Sequence, residues 1–108
     1  MSDFAVDVSL DTAHCVITVV GEVDVEVASQ LGTAGVKAVA AADAACAVIV
    51  VDLDGVRFLD SSGLAALVSI ANAAADVGKS VQLRSVHERA AKILKITGLD
   101  TTFDVQLA

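Results

Sequence analysis

The segment Asp60-Ser61-Ser62-Gly63 places a carboxylate, two hydroxyls and a glycine between an apolar strand-like run and a helix-like run. A helix N-terminus has unpaired backbone N–H groups and a partial positive charge, so it tolerates a phosphate group. A serine hydroxyl at such a place can cap the helix, act as a nucleophile or accept a phosphate. Each of these chemistries makes different demands on the rest of the chain.

Nucleophilic catalysis is disfavoured by the residues around the serines. A nucleophilic serine needs a base, usually a histidine that a carboxylate orients. Leu59 and Asp60 precede Ser61, so the nucleophile-elbow pattern Gly-x-Ser-x-Gly is absent. Nothing in the sequence places His14 or His87 beside Ser61. We therefore predict that the chain is not an enzyme.

Nucleotide and metal chemistry also lack their usual patterns. Neither the P-loop motif nor the dinucleotide-binding glycine motif occurs in the sequence. Carboxylates are ligands that Mg²⁺ accepts, but the spacing of these four matches no known ion-binding loop: Asp24, Asp52, Asp54 and Asp60. The two cysteines and two histidines match no metal-ligand spacing. We expect no cofactor and no metal.

Composition predicts one domain over residues 1–108 and limits its partners. The formal net charge is −7 and only three residues are aromatic, which disfavours binding to nucleic acid or to an anionic membrane. Five of the seven basic residues lie in the last third of the chain. They are interpreted either as solvated surface or as a polarised docking surface for a protein. Cys15 and Cys46 lie in apolar contexts and are predicted to be buried thiols, with a disulfide or redox role as the alternative.

The start of the chain and its apolar runs predict a soluble, cytoplasmic protein. Met1-Ser2-Asp3 is acidic where a secretory signal would be basic. The longest apolar run near the middle, residues 45–51, is far shorter than the roughly 20 residues that a membrane-spanning helix needs.

Hydrophobic periodicity predicts an α/β domain with a mixed β-sheet and about three helices, in the order β-β-α-β-α-β-α-β. The predicted strands cover 4–10, 15–20, 47–53, 81–84 and 101–105, and Gly21 is predicted to end the second strand. The predicted helices run from the N-cap Asp24 to about 43, over 62–77, and from a capping box at 85–88 to Gly98.

Two roles for the serines remain open on local pattern. Asp60 or Ser61 could simply cap the second helix, which typically contributes about 1 kcal/mol. Phosphorylation would add roughly −1.5 to −2 charges to a surface that Asp60 and Asp24 already make negative, and would repel a partner that bound the unmodified form. Capping and switching are compatible, because the same N–H groups can face a phosphate.

Three motifs in this order resemble the STAS-domain anti-sigma factor antagonists (anti-anti-sigma factors) of bacteria. They are Gly21-Glu22-Val23-Asp24, the run from Val50-Val51-Asp52-Leu53 into Phe58-Leu59-Asp60-Ser61-Ser62-Gly63-Leu64, and Ile96-Thr97-Gly98-Leu99. The resemblance covers nearly the whole chain, and its Asp-Ser-Ser-Gly segment is the most specific part. It implies a single STAS-type domain.

The resemblance also implies partner switching. The unphosphorylated form would bind an anti-sigma factor that is a serine kinase and so release a sigma factor. The kinase would then phosphorylate Ser61, with Ser62 as the alternative acceptor, and a serine phosphatase would restore binding. Asp24, Asp60 and Gly63 would complete the partner-binding surface. The alternative is a STAS subunit of a transport or signalling assembly without a phospho-switch.

Overall fold

The computed structural model describes residues 4–108, in which five strands and three α-helices follow the predicted order. Met1-Ser2-Asp3, on which the prediction about a secretory signal rests, lies outside these residues. The elements are β1 Ala5–Leu10, β2 Cys15–Val23, α1 Val25–Ala41, β3 Val48–Leu59, α2 Ser61–Asp76, β4 Ser80–Val86, α3 Glu88–Ile96, a 3₁₀ turn Leu99–Thr101 and β5 Asp104–Leu107. In this part of the chain, no helix has the length and apolar character that crossing a bilayer requires.

The sheet has the order β1-β2-β3-β4-β5 and is mixed, as predicted. β1 pairs antiparallel with β2 because a tight turn joins them, in which the Asp11 carboxylate accepts the N–H groups of Ala13 and His14 at 2.9 and 2.8 Å. All later neighbours are parallel. Every helical crossover steps in the same direction across the sheet, so right-handed connections place the helices on one face.

Alternate side chains along the central strands form the core. Ile17 and Val19 of β2 are fully buried, as are Ile49 and Val51 of β3. The helices add Leu31, Ala38, Leu64, Leu67, Ile70 and Leu94 to the same cluster. The helices also bury Ala28, Ala66, Ala71 and Ala74, whose small side chains let the helices approach one another and the sheet closely.

The pairing of β2 with β3 contains two irregularities that the sequence did not reveal. Cys15 pairs with Ile49, an offset of 34 residues, whereas Val23 pairs with Leu59, an offset of 36. The two extra residues lie in β3, as expected of β-bulges. The prediction that Gly21 ends β2 is wrong: the strand continues through it to Val23, with Gly21 at φ 98°.

Several other predicted boundaries are also wrong, above all the end of β3, which lies at Leu59 instead of 53. Ser85 does not begin a capping box, because it lies within β4 at φ 59°, and His87 is the N-cap of α3 without a side-chain hydrogen bond. The last strand is 104–107 instead of 101–105, since residues 99–101 form the 3₁₀ turn. α1 ends at Ala41, two residues before the predicted end.

Both cysteines are buried free thiols, as predicted. The Cys46 thiol donates a hydrogen bond to the Val48 carbonyl oxygen at 3.2 Å. Burial raises the pKa of the Cys15 thiol, negative charge on Cys46 would raise it further, and the Lys79 ammonium opposes both effects. A neutral buried thiol of this kind is chemically inert.

Two glycines of α1 give a matched test of the packing between α1 and α2. A Cβ atom at Gly35 would overlap the side chain of Ile70, which is fully buried, whereas one at Gly32 would lie 3.7 Å from the Cβ of Ala66. We expect Gly35→Ala to lower the free energy of unfolding by about 1–2 kcal/mol, because overpacking outweighs the gain in helix propensity. Gly32→Ala should raise it by up to about 1 kcal/mol. Urea denaturation measures both, and equal effects would contradict the close packing described here.

Candidate functional site

The N-termini of α1 and α2 lie together at the C-terminal ends of the parallel strands β2 and β3. α1 follows β2 and α2 follows β3, and these strands are parallel neighbours whose last residues, Val23 and Leu59, are paired. The Asp60 N–H donates to the Val23 carbonyl oxygen at 3.2 Å. This bond fixes the start of α2 beside the start of α1, so two of the predicted site residues, Asp24 and Asp60, occupy equivalent positions on neighbouring elements.

Both aspartates are helix caps. The Asp60 carboxylate accepts the Gly63 N–H at 3.0 Å, and the Asp24 carboxylate accepts the Glu26 N–H at 3.0 Å. Both caps have the extended backbone that N-cap residues adopt. The sequence predicted the Asp24 cap and left Asp60 and Ser61 as alternatives for α2, and the structure shows Asp60 in that role.

The two serines face different surroundings. Ser61 is the first residue of α2, one position earlier than predicted, and its side chain is exposed. No hydrogen bond engages its hydroxyl anywhere in residues 4–108. Ser62 is half-buried and lines an open groove between α1 and α2, beside Gly32 and Ala66. The Ser61 hydroxyl is therefore the more accessible of the two.

Gly63 is required by packing in the first turn of α2. The residue is buried, and a Cβ atom built on it would overlap the Leu59 side chain and lie 3.0 Å from Cγ1 of Val23. The absence of a side chain lets α2 start directly against the ends of both strands. Gly63 thus contributes to the site by holding the neighbouring serines in place.

Acidic side chains surround the two helix starts. Glu22 and Glu26 are exposed and flank Asp24 in sequence. Glu22 lies 4.0 Å from the Arg57 guanidinium, but both side chains are at least half exposed, so the pair contributes little energy. The surface therefore combines the positive ends of two helix dipoles with a negative rim of carboxylates.

The histidines are not positioned to activate Ser61. His14 precedes β2 at the opposite edge of the sheet, roughly 25 Å away along the strand, and its Nδ1 lies 3.0 Å from the Asp11 carboxylate. His87 lies at the same edge as Ser61, but its Nε2 donates to the Asp54 carbonyl oxygen at 3.1 Å. Neither imidazole is hydrogen-bonded to Ser61 in the described chain.

Three of the four carboxylates considered as Mg²⁺ ligands, those of Asp24, Asp52 and Asp60, accept nearby backbone N–H groups. Asp52 accepts the Asp54 N–H at 3.0 Å, in the same manner as the two cap aspartates accept theirs. Between residues 4 and 108, no three or more side chains of the metal-ligating types form a cluster.

An apolar cavity on the other side of the Asp60 segment was not foreseen from the sequence. It has a volume of about 270 Å³ and lies between the bulged end of β3, the end of β4 and the first turns of α3. No sequence pattern could have predicted it, because its walls come from three elements and its shape depends on the bulges in β3.

Comparison with known proteins finds one matching family and several solved structures of similar fold. The model of the family described as "Mlab, STAS domain" matches residues 6–107. An anti-sigma factor antagonist from Mycobacterium paratuberculosis is 29% identical with a TM-score of 0.77, and the match covers 98% of this chain and 87% of that chain. The Bacillus cell fate determinant SpoIIAA in its phosphorylated form is 20% identical with a TM-score of 0.71, covering 94% and 90%.

The same fold also occurs inside a membrane transporter. The murine anion transporter Slc26a9 is 11% identical with a TM-score of 0.77, and the match covers 100% of this chain but 21% of that chain. At this identity the likeness concerns the fold.

The division of roles between Asp60 and Ser61 can be tested by stability measurements. Asp60→Ala removes the acceptor for the Gly63 N–H and should lower the free energy of unfolding by about 1 kcal/mol. Asp60→Asn keeps a good capping side chain and should retain most of that stability. Ser61→Ala should change it by less than about 0.5 kcal/mol, since the hydroxyl bonds to nothing. Thermal and urea unfolding give the values, and a larger loss for Ser61→Ala than for Asp60→Ala would reverse the assignment.

Proposed function

Because the chain belongs to the STAS domain family, we propose that it is an anti-sigma factor antagonist whose partner binding is switched off by phosphorylation of Ser61. The observation that carries the proposal is the exposed, unbonded Ser61 hydroxyl at the first position of α2. The 29% identity with an anti-sigma factor antagonist over almost the whole chain supports the same function.

The geometry of the helix start supports Ser61 as the acceptor. An incoming kinase can reach the exposed Ser61 hydroxyl, whereas the half-buried Ser62 faces the groove between α1 and α2. Asp60 already satisfies the helix cap, so modification of Ser61 would remove no hydrogen bond of the fold. Ser62 is the alternative acceptor.

The charges around Ser61 explain how a phosphate could act as a switch. The remaining free N–H groups and the dipoles of two helices tolerate an added negative group, so the domain itself would stay folded. A partner that docks on Asp24, Asp60, Ser62 and Gly63 would instead meet roughly two additional negative charges at close range. The repulsion and the cost of removing water from the phosphate would weaken the complex without a conformational change.

The proposal names two classes of protein partner and no cofactor. The first is an anti-sigma factor with serine kinase activity, which would bind the unphosphorylated form and so release its sigma factor in the cytoplasm. The second is a serine phosphatase that removes the phosphate. The chain would be a substrate of both and would itself have no catalytic activity.

A second candidate function is a STAS subunit of a transport assembly. The occurrence of the same fold within the Slc26a9 anion transporter favours it. A subunit of this kind would bind its partner stably and without dependence on the charge of residue 61. The two candidates therefore differ in one measurable property.

Binding measurements on variants of residues 61 and 62 distinguish the two candidate functions. We expect Ser61→Asp to weaken binding to the cognate anti-sigma factor at least tenfold in calorimetric titration, a change that corresponds to about 1.4 kcal/mol. Ser61→Ala, which adds no charge, should bind like the original chain. Ser62→Asp adds the same charge at a half-buried position that faces the groove, and should weaken binding less than Ser61→Asp does.

Equal affinities of Ser61→Asp and Ser61→Ala would contradict the switch. If both variants also formed a stable complex with a transport ATPase or permease, the second candidate would replace the first.

A further inference from the structure

We propose that the apolar cavity between β3 and α3 binds a small organic anion with a short apolar body, the simplest example being a medium-chain carboxylate. The cavity lies on the side of Asp60 away from the α1–α2 groove, and its lining does not include Ser61 or Ser62. The inference therefore stands independently of the phospho-switch.

The interior of the cavity is hydrocarbon. Its floor consists of Leu53, Val56 and Val86, none of which exposes more than 9% of its surface. Ala90 and Ile93 of α3 form a half-buried wall. Apolar cavities of this kind hold water poorly and accept apolar ligands readily.

The size of the cavity restricts the ligand. A volume of about 270 Å³ exceeds the roughly 150 Å³ of an apolar cavity that binds benzene, and lies just below the range of about 300–1,000 Å³ usual for drug-sized ligands. A chain of about eight carbons or a single substituted ring is therefore the appropriate body, whereas a nucleotide or a full-length lipid is too large.

The rim of the cavity selects an anionic head group. Arg57, His87 and Arg89 line it and are exposed, although the chain as a whole carries a net charge of −7. Guanidinium groups bind carboxylates in a bidentate manner. The one carboxylate in the lining, that of Asp60, is turned to the Gly63 N–H. Charge complementarity thus favours an anion at the mouth.

Ligand binding in this cavity should also change the surroundings of the first turn of α2. Leu59 lines the cavity and is the residue against which Gly63 packs. An occupant would therefore contact the side chain that supports the first turn of α2, so the amide signals of residues 59–63 should report binding.

Octanoate is the probe for a direct test by two-dimensional NMR titration of the full chain. We expect saturable shifts of the amides of Val56, Ala90 and Ile93, and at least about tenfold weaker binding of octanol and methyl octanoate, which lack the charge. Ala90→Leu fills the cavity and should abolish the shifts, whereas Ala75→Leu, on the exposed face of α2, should not.

Charge variants on α3 test the head group separately. Arg89→Gln should weaken octanoate binding about fivefold or more, because it removes a guanidinium from the rim. Lys92→Gln removes an equal charge from the exposed surface of the same helix, outside the cavity lining, and should leave binding unchanged. Circular dichroism establishes that each variant is folded.

Several results would overturn the inference. These are the absence of saturable shifts up to about 10 mM octanoate, a concentration that would reveal even millimolar binding, equal binding of octanol, and shifts confined to the α1–α2 groove. A further contrary result is a failure of octanoate to bind while Ala90→Leu weakens the complex with the anti-sigma factor. The cavity would then receive a side chain of the protein partner instead.

Discussion

The register between β2 and β3 is the constraint on which the site depends. The two strands begin with an offset of 34 residues, and without the two extra residues of β3 Val23 would face Arg57. The bulges shift the pairing so that Val23 faces Leu59 and both strands end at the same level. The hydrogen bond from the Asp60 N–H to the Val23 carbonyl can then form, and it brings two helix N-termini together. The same bulged segment forms one wall of the apolar cavity, so both sites depend on the same irregular segment of β3.

At the start of α2, structural and functional tasks fall to different side chains. Asp60 supplies the cap that a helix N-terminus needs, and Gly63 permits the close approach of α2 to the strand ends. Ser61 is left without a structural task and is exposed to solvent. A modification there costs the fold little, while a docked partner would be sensitive to it. This separation would allow the proposed switch to act through charge on a domain that keeps its shape.

The sequence was sufficient to predict the element order, the mixed sheet, the buried cysteines and the Asp24 cap, because these follow from local periodicity and capping chemistry. It failed where long-range pairing determines the outcome. Gly21 has the appearance of a strand end but lies within β2, and Ser85 resembles a capping residue but lies in β4 at positive φ. The cavity was missed for the same reason, since no local pattern records how β3, β4 and α3 meet. The motif indicates Ser61 as the proposed acceptor, and only the structure shows that its side chain is exposed.

The central claim is that a single hydroxyl at the start of α2 controls partner binding. The most direct test is to incubate the chain with its anti-sigma kinase and ATP, map the phosphate by tandem mass spectrometry, and measure whether the modified chain remains in the complex. The account predicts one phosphate on Ser61 and dissociation of the modified chain from the kinase. Phosphate at another residue, or a complex that persists after Ser61 is fully modified, would contradict it.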